Sequence, residues 1–291
     1  MQHRLLIRVK FCMDAFLSPS YPWLALLLGL FIGSFLNVVI YRLPIMLMRE
    51  TADDEERSAL PAVNLWWPPS HCPCCQHNVM PWDNIPVVSW LLLRGRCRHC
   101  HCTISGIYPL SEAVIGVVFC TLVYWLYPQY SLLQLAFMAL FLCLLYTLAV
   151  IDIRTFLLPD CLVFLLLWAG LIASVRHLIP VSPRDSVMGA VFIWGFTWLM
   201  AEGYRWITGR EGFGKGDVKL FAACATWLGV ENIAVLMLGS ALLGLCLFLF
   251  RYFYIRRFAP QGELAKQGYI PFGPAIVVMS IYLMYTAVLN L

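Results

Sequence analysis

The chain predicts an all-α polytopic membrane protein with about eight transmembrane helices and one extramembrane loop module between the first two. Three observations carry this. Of 291 residues, 61% are hydrophobic and 12% charged, against about 45–50% and about 25% in an ordinary soluble domain, and the mean hydropathy is +0.77. The charges cluster, leaving uncharged stretches at 15–41, 113–151, 161–175, 186–201, 220–230, 232–250 and 267–291. Six of the 12 cysteines fall between positions 72 and 102. The composition excludes a soluble enzyme and a secreted disulfide scaffold, and no alternating ten-residue segments suggest a β-barrel.

Taken in order, the first span is expected at 18–43. Arg4, Arg8 and Lys10 precede it as the n-region of a signal peptide would, but an apolar run of 27 residues exceeds a signal h-region and lacks a small-x-small cleavage site. The stretch 113–151 is too long for one helix of roughly 17–25 residues. Tyr127-Pro128-Gln129-Tyr130-Ser131 divides it, giving spans at 107–126 and 132–152. Further spans are expected at 160–178, 187–207, 216–230, 233–252 and 270–290, the short run at 220–230 being completed by its neighbours. Of the 20 Lys and Arg, 15 lie after odd-numbered spans, which places those loops in the cytoplasm. The chain thus divides into an N-terminal segment with helix 1 (1–44), a cytoplasmic loop (45–105) and a transmembrane domain of helices 2–8 (106–291). Asp53-Asp54-Glu55-Glu56 reads as solvated loop.

The loop carries two C-x-x-C pairs, Cys72/Cys75 and Cys97/Cys100. Paired knuckles of this spacing supply two thiolates each to a tetrahedral structural zinc, and a reducing compartment favours metal over disulfides. Redox cysteines and a metal-free module are the alternatives. Cys74, Cys102 and the flanking His71, His77, His99 and His101 leave other ligand sets open. A nucleic-acid ribbon is disfavoured, because Trp66, Trp67, Trp82 and Trp90 sit among prolines without a basic stacking series; no nucleic-acid partner is expected.

Charge is costly in a bilayer, so acids at span ends need a reason. Asp152 closes span 3, and Asp217 opens span 6 in Gly214-Lys215-Gly216-Asp217. Both are expected at the cytoplasmic edge, where two carboxylates sharing a site can activate water for attack on a peptide carbonyl. The plainer alternative has each bound to Arg154 or Lys219, or capping a helix. Asp160 reads as a helix N-terminal carboxylate beside Pro159. A transporter would place its acids nearer the bilayer centre, and a non-catalytic assembly subunit would tolerate loss of either aspartate.

At these residues the chain resembles the type IV prepilin peptidases. The resemblance runs from about residue 29 to 275. It includes Gly33-Ser34-Phe35-Leu36-Asn37 through Arg42-Leu43-Pro44, the cysteine module with Asp83-Asn84-Ile85-Pro86, and Leu93-Arg94-Gly95-Arg96-Cys97. Tyr108-Pro109, Glu112, Asp152 to Asp160, Glu211-Gly212, the string 214–217 and Pro271-Phe272-Gly273-Pro274 continue it. Ile107 and Ser111 depart from the family's pattern. The resemblance implies an intramembrane aspartyl endopeptidase with Asp152 and Asp217 as its dyad, and zinc on Cys72, Cys75, Cys97 and Cys100. Its implied substrates are prepilin or pseudopilin precursors, cut after Gly at the cytoplasmic face of a bacterial inner membrane. It also implies methylation of the new N-terminus using S-adenosyl-L-methionine, for which the sequence offers Gly95 and Glu112 only as guesses; a peptidase without that activity is the alternative. Glu202, Glu211 and residues 53–56 are the acids available to meet a basic leader.

Overall fold

In the computed structural model, residues 18–209, 212, 214–258 and 271–289 are described; Arg4, Arg8, Lys10, Arg210, Glu211 and Lys266 lie outside them. The described chain is helical, with two isolated β-bridges and no sheet. The helices are α1 (Tyr21–Thr51), α2 (Asp54–Ala59), α3 (Val88–Leu92), α4 (Ile107–Leu126), α5 (Leu132–Thr155), α6 (Asp160–Val175), α7 (Pro183–Thr208), α8 (Lys215–Leu228), α9 (Ile233–Phe258) and α10 (Gly273–Leu289). Each expected span coincides with one of them. Among the described residues, five stretches are long and apolar enough to cross a membrane: Tyr21–Thr51, Ile107–Leu126, Leu132–Thr155, Pro183–Thr208 and Val230–Phe253. Helices α6 and α10 are apolar but shorter. Helix α8 has 14 residues, which at about 1.5 Å per residue falls short of a hydrocarbon core of roughly 30 Å.

The chain forms two compact units, Met1–Ala139 and Leu140–Leu291. In the first, α1 packs along α4. Gly29 and Gly33 sit one helical turn apart on α1, and a Cβ at Gly29 would lie 2.8 Å from Gly116 Cα, one at Gly33 2.9 Å from Glu112 Cα. This small-xxx-small pattern brings two backbones together where lipid offers no hydrophobic drive. Helix α1 runs through Pro44 to Thr51, beyond the expected end at 43. Arg42, Leu43 and Pro44 are buried there, and Arg42 donates to the carbonyls of Asn64 (2.9 Å) and Pro68 (2.7 Å), so the following loop is tied to the helix and supports it past the proline.

In the second unit, α8 is the buried element. Leu220 to Leu228 are all buried, and α6, α7 and α10 pack around the helix. Trp227 fixes its far end: the indole Nε1 donates to the Leu166 carbonyl of α6 at 2.9 Å, and its ring lies 4.8 Å from that of Phe141. Ser186 of α7 donates to the Thr226 carbonyl at 2.6 Å. A helix buried all round is sheathed by its neighbours rather than by lipid.

Candidate active site and metal centre

The open end of α8 forms the acidic site of the second unit. Asp152, in the last turn of α5, is 5% exposed. Its Oδ2 accepts the N–H of Gly273 at 2.9 Å, the residue that begins α10. A Cβ at Gly273 would stand 2.6 Å from that same oxygen, so only glycine lets this backbone donor approach. Asp217 lies in the first turn of α8, and a Cβ at Gly214 would fall 2.7 Å from its Oδ2. The glycine string is irregular only up to Gly214, since helix α8 begins at Lys215. The carboxyls of Asp152 and Asp217 lie within electrostatic reach of each other. Sequence separation of 65 residues is therefore closed in space.

Lys219 holds Asp160 with Nζ at 2.8 and 2.7 Å from its two oxygens, joining α8 to α6. That lysine is accordingly engaged away from Asp217. Glu202, a candidate for meeting a basic leader, pairs with Arg205 at 3.6 Å within α7. The two line a cleft of about 190 Å³ together with Trp194, Trp198, Lys215 and Lys219. Asp217 is not among its lining residues. Gly273 was visible in the sequence only within Pro271-Phe272-Gly273-Pro274, whose role nothing local declares; the Asp160 to Lys219 pair escaped because it spans 59 positions.

In the first unit, the sulfurs of Cys72, Cys75, Cys97 and Cys100 all lie within 4.8 Å of one another, with Cys72 and Cys100 3.6 Å apart. A tetrahedron of zinc–sulfur bonds of about 2.3 Å has edges of about 3.8 Å, so the donor set fits zinc. The backbone N–H groups of Cys75 and then Cys74, aimed at Cys72, hold its thiol down to about 6. The Cys102 amide likewise favours the Cys100 thiolate, but desolvation and the three neighbouring sulfurs outweigh it and push that thiol up to about 12. Four sulfurs this close resist ionising together, a cost that a bound cation would relieve. Arg98 docks the second knuckle by donating Nε to both carboxylate oxygens of Asp83, the nearer at 2.9 Å, and holds that carboxyl below its usual range.

Gly95 and Glu112 brace the two ends of α3. Glu112 accepts the N–H of Val87 at 2.8 Å, and Val87 precedes α3 with φ 61, a conformation costly for a β-branched residue. Gly95, with φ +67, leaves room for the Trp90 ring, which a Cβ would meet at 2.8 Å. Ser111, a departure from the family's pattern, donates to Asn37 Oδ1 at 2.8 Å and so joins α4 to α1.

The chain is helical, with several long apolar helices, two neighbouring carboxyls in one unit and a four-thiol cluster in the other, which is the layout expected of a membrane peptidase. The family models agree: residues 27–127 match the bacterial peptidase A24 N-terminal domain and residues 138–249 the type IV leader peptidase family. Prepilin leader peptidase/N-methyltransferases are similar over most of the chain. That of Pectobacterium carotovorum is 42% identical over 277 residues, 91% of this chain and 94% of the relative. That of Neisseria gonorrhoeae is 39% identical over 284 residues, 93% and 92% respectively, and that of Aeromonas hydrophila 41% over 241, 78% and 81%. No solved structure matches. The chain belongs to the type IV leader peptidase family.

Proposed function

We propose that the protein removes the basic leader of type IV prepilins or type II secretion pseudopilins, after Gly, and methylates the new N-terminus. The observation that carries the peptidase reading is the meeting of Asp152 and Asp217, from separate helices, within electrostatic reach. Two carboxyls so placed cannot both ionise cheaply, so one holds a proton while the other accepts one from water. The water attacks the scissile carbonyl as the protonated partner donates to the carbonyl oxygen. Gly273 N–H fixes Asp152 Oδ2 for this exchange. Eight spans with the odd loops in the cytoplasm put the site at the cytoplasmic face of a bacterial inner membrane, where a pilin helix enters the bilayer. The relatives' printed names and the family models support the substrate class.

Cys72, Cys75, Cys97 and Cys100 hold a structural zinc in this reading, locking two knuckles of loop 45–105 together. S-adenosyl-L-methionine supplies the methyl group to the freed amine. Gly95 and Glu112, at the two ends of α3, are the candidates for meeting that donor. Cleavage of a prepilin by purified wild type, Asp152→Asn and Asp217→Asn, with product masses, tests the proposal. Loss of cleavage in both variants is expected; full cleavage by either removes the dyad. A cleaved product without the added methyl mass restricts the protein to peptidase work.

A further inference from the structure

The two cysteine knuckles repeat each other at an offset of 25 residues, a symmetry that the sequence reading did not find. The bridge His71 to Asn78 has its image in Arg96 to Thr103. The bond from Cys72 N–H to the His77 carbonyl recurs from Cys97 to Cys102, both at 2.9 Å, and that from Val79 to Ser70 recurs from Ile104 to Gly95, both at 2.7 Å. Gln76 and His101 take matching left-handed φ values of 58 and 57. Under this relation Cys74 corresponds to His99 and His77 to Cys102. The inter-knuckle contacts obey it as well: Cys74 is bonded to Cys102, and the image of that pair is His99 against His77, with ring centroids 3.9 Å apart. Both pairs join the knuckles without using any of the four inner sulfurs.

We propose that Cys74 and Cys102 are a reversible oxidation site whose disulfide clasps the two knuckles across the four-cysteine cluster. Cys74 is exposed and Cys102 half-buried, so an aqueous peroxide reaches the pair, while a bound zinc would engage the lone pairs of the other four sulfurs. In a reducing compartment the resting pair is a dithiol. On oxidation one thiolate attacks the peroxide O–O bond, which breaks to release water and leaves a sulfenic acid. The second thiol then displaces that hydroxyl as a further water, forming the S–S bond. In balance, two thiols lose two protons and two electrons, and one peroxide becomes two waters. The histidine pair on the symmetry-related side keeps the knuckles in register while the cysteine pair opens and closes. Oxidation thereby closes the module around its metal instead of consuming the ligands.

The test uses the full chain in detergent, treated with hydrogen peroxide and then with dithiothreitol, with peptide mapping after alkylation and measurement of bound zinc. Wild type should give a Cys74 to Cys102 linked peptide that dithiothreitol removes, with its zinc retained. Cys74→Ser and Cys102→Ser, each loaded with zinc before treatment, should lack that link and release zinc at several-fold lower peroxide. A link to Cys72, Cys75, Cys97 or Cys100 instead overturns the proposal. So does full alkylation of Cys74 and Cys102 after peroxide, or zinc release unchanged in both variants. The zinc arm rests on the metal reading of the four cysteines: reduced wild type without zinc defeats that reading, and the clasp is then decided by the linked peptide alone.

Discussion

The cysteine cluster and the aspartate site are assembled over very different lengths of chain. The four thiols, at positions 72 to 100, come from two knuckles, each shaped by its own backbone bonds within ten residues. The carboxyl site draws on α5, α8 and α10, and its one backbone donor to Asp152 lies 121 positions away. A local site depends on the module that carries it and tolerates change elsewhere, whereas a long-range site depends on the packing of every helix that reaches it.

The largest effect that would test this contrast is at the carboxyls. Asp152→Asn or Asp217→Asn should lower prepilin cleavage by about a thousandfold, within the range for loss of acid or base catalysis, while zinc content stays at the wild-type level. Gly273→Ala comes next. Its methyl would sit 2.6 Å from Asp152 Oδ2, so α10 or the carboxyl must shift. A displacement of this kind costs on the order of a hundredfold in turnover, read as a fall in kcat with thermal unfolding little changed. A Gly273→Ala protein with wild-type kcat would mean that the N–H is not positioning Asp152.

These two sites also differ in how much of them was legible beforehand. Knuckle spacing is a local property, so Cys72, Cys75, Cys97 and Cys100 were readable as one cluster, and the helix boundaries followed from where charges stop. Asp152 and Asp217 stood out because ionisable residues are expensive at the edge of a bilayer. Gly273 did not, since a backbone donor has no side-chain signature, and its need for glycine arises only when α10 starts beside α5. The Asp160 to Lys219 pair was hidden for a similar reason: each looked like a local helix-end charge. Helix α8 being buried on all sides was not legible from an 11-residue apolar run, which reads equally as part of a lipid-facing span. The 25-residue repeat was missed because it resides in backbone bonds and φ values, while the side chains at corresponding positions are exchanged between Cys and His.

A smaller effect on cleavage is expected from the metal module. Cys72→Ser or Cys97→Ser should lose zinc, measured by elemental analysis, with cleavage reduced less than tenfold because the carboxyl site belongs to the other compact unit. Acid should act in the same direction, since thiolates must be deprotonated to hold metal and zinc is released as protons compete. A Cys72→Ser protein that keeps its zinc would disqualify the four-thiol set, and one that loses cleavage as completely as Asp152→Asn would erase the contrast between local and long-range sites.

The smallest effects belong to the ion pairs that dock the outer elements. Lys219→Met breaks the bond to Asp160 in a pair whose side chains are 37% and 55% exposed, and such pairs contribute about 0.2–1 kcal/mol; a lowering of Tm by only a few degrees is expected. Asp83→Asn removes the partner of Arg98, which fixes the second knuckle to the turn Pro81–Asn84. Because Arg98 holds the Asp83 carboxyl below its ordinary value, this contribution is fully present above about pH 3.9, the unperturbed aspartate value, and disappears as pH falls through the lowered one. The wild-type module should therefore show no change from this pair between about pH 7 and 5. The difference in thermal stability between wild type and Asp83→Asn should stay constant over that window and shrink only in stronger acid. A difference that closes already by about pH 6 would mean that the Asp83 to Arg98 pair is not its source.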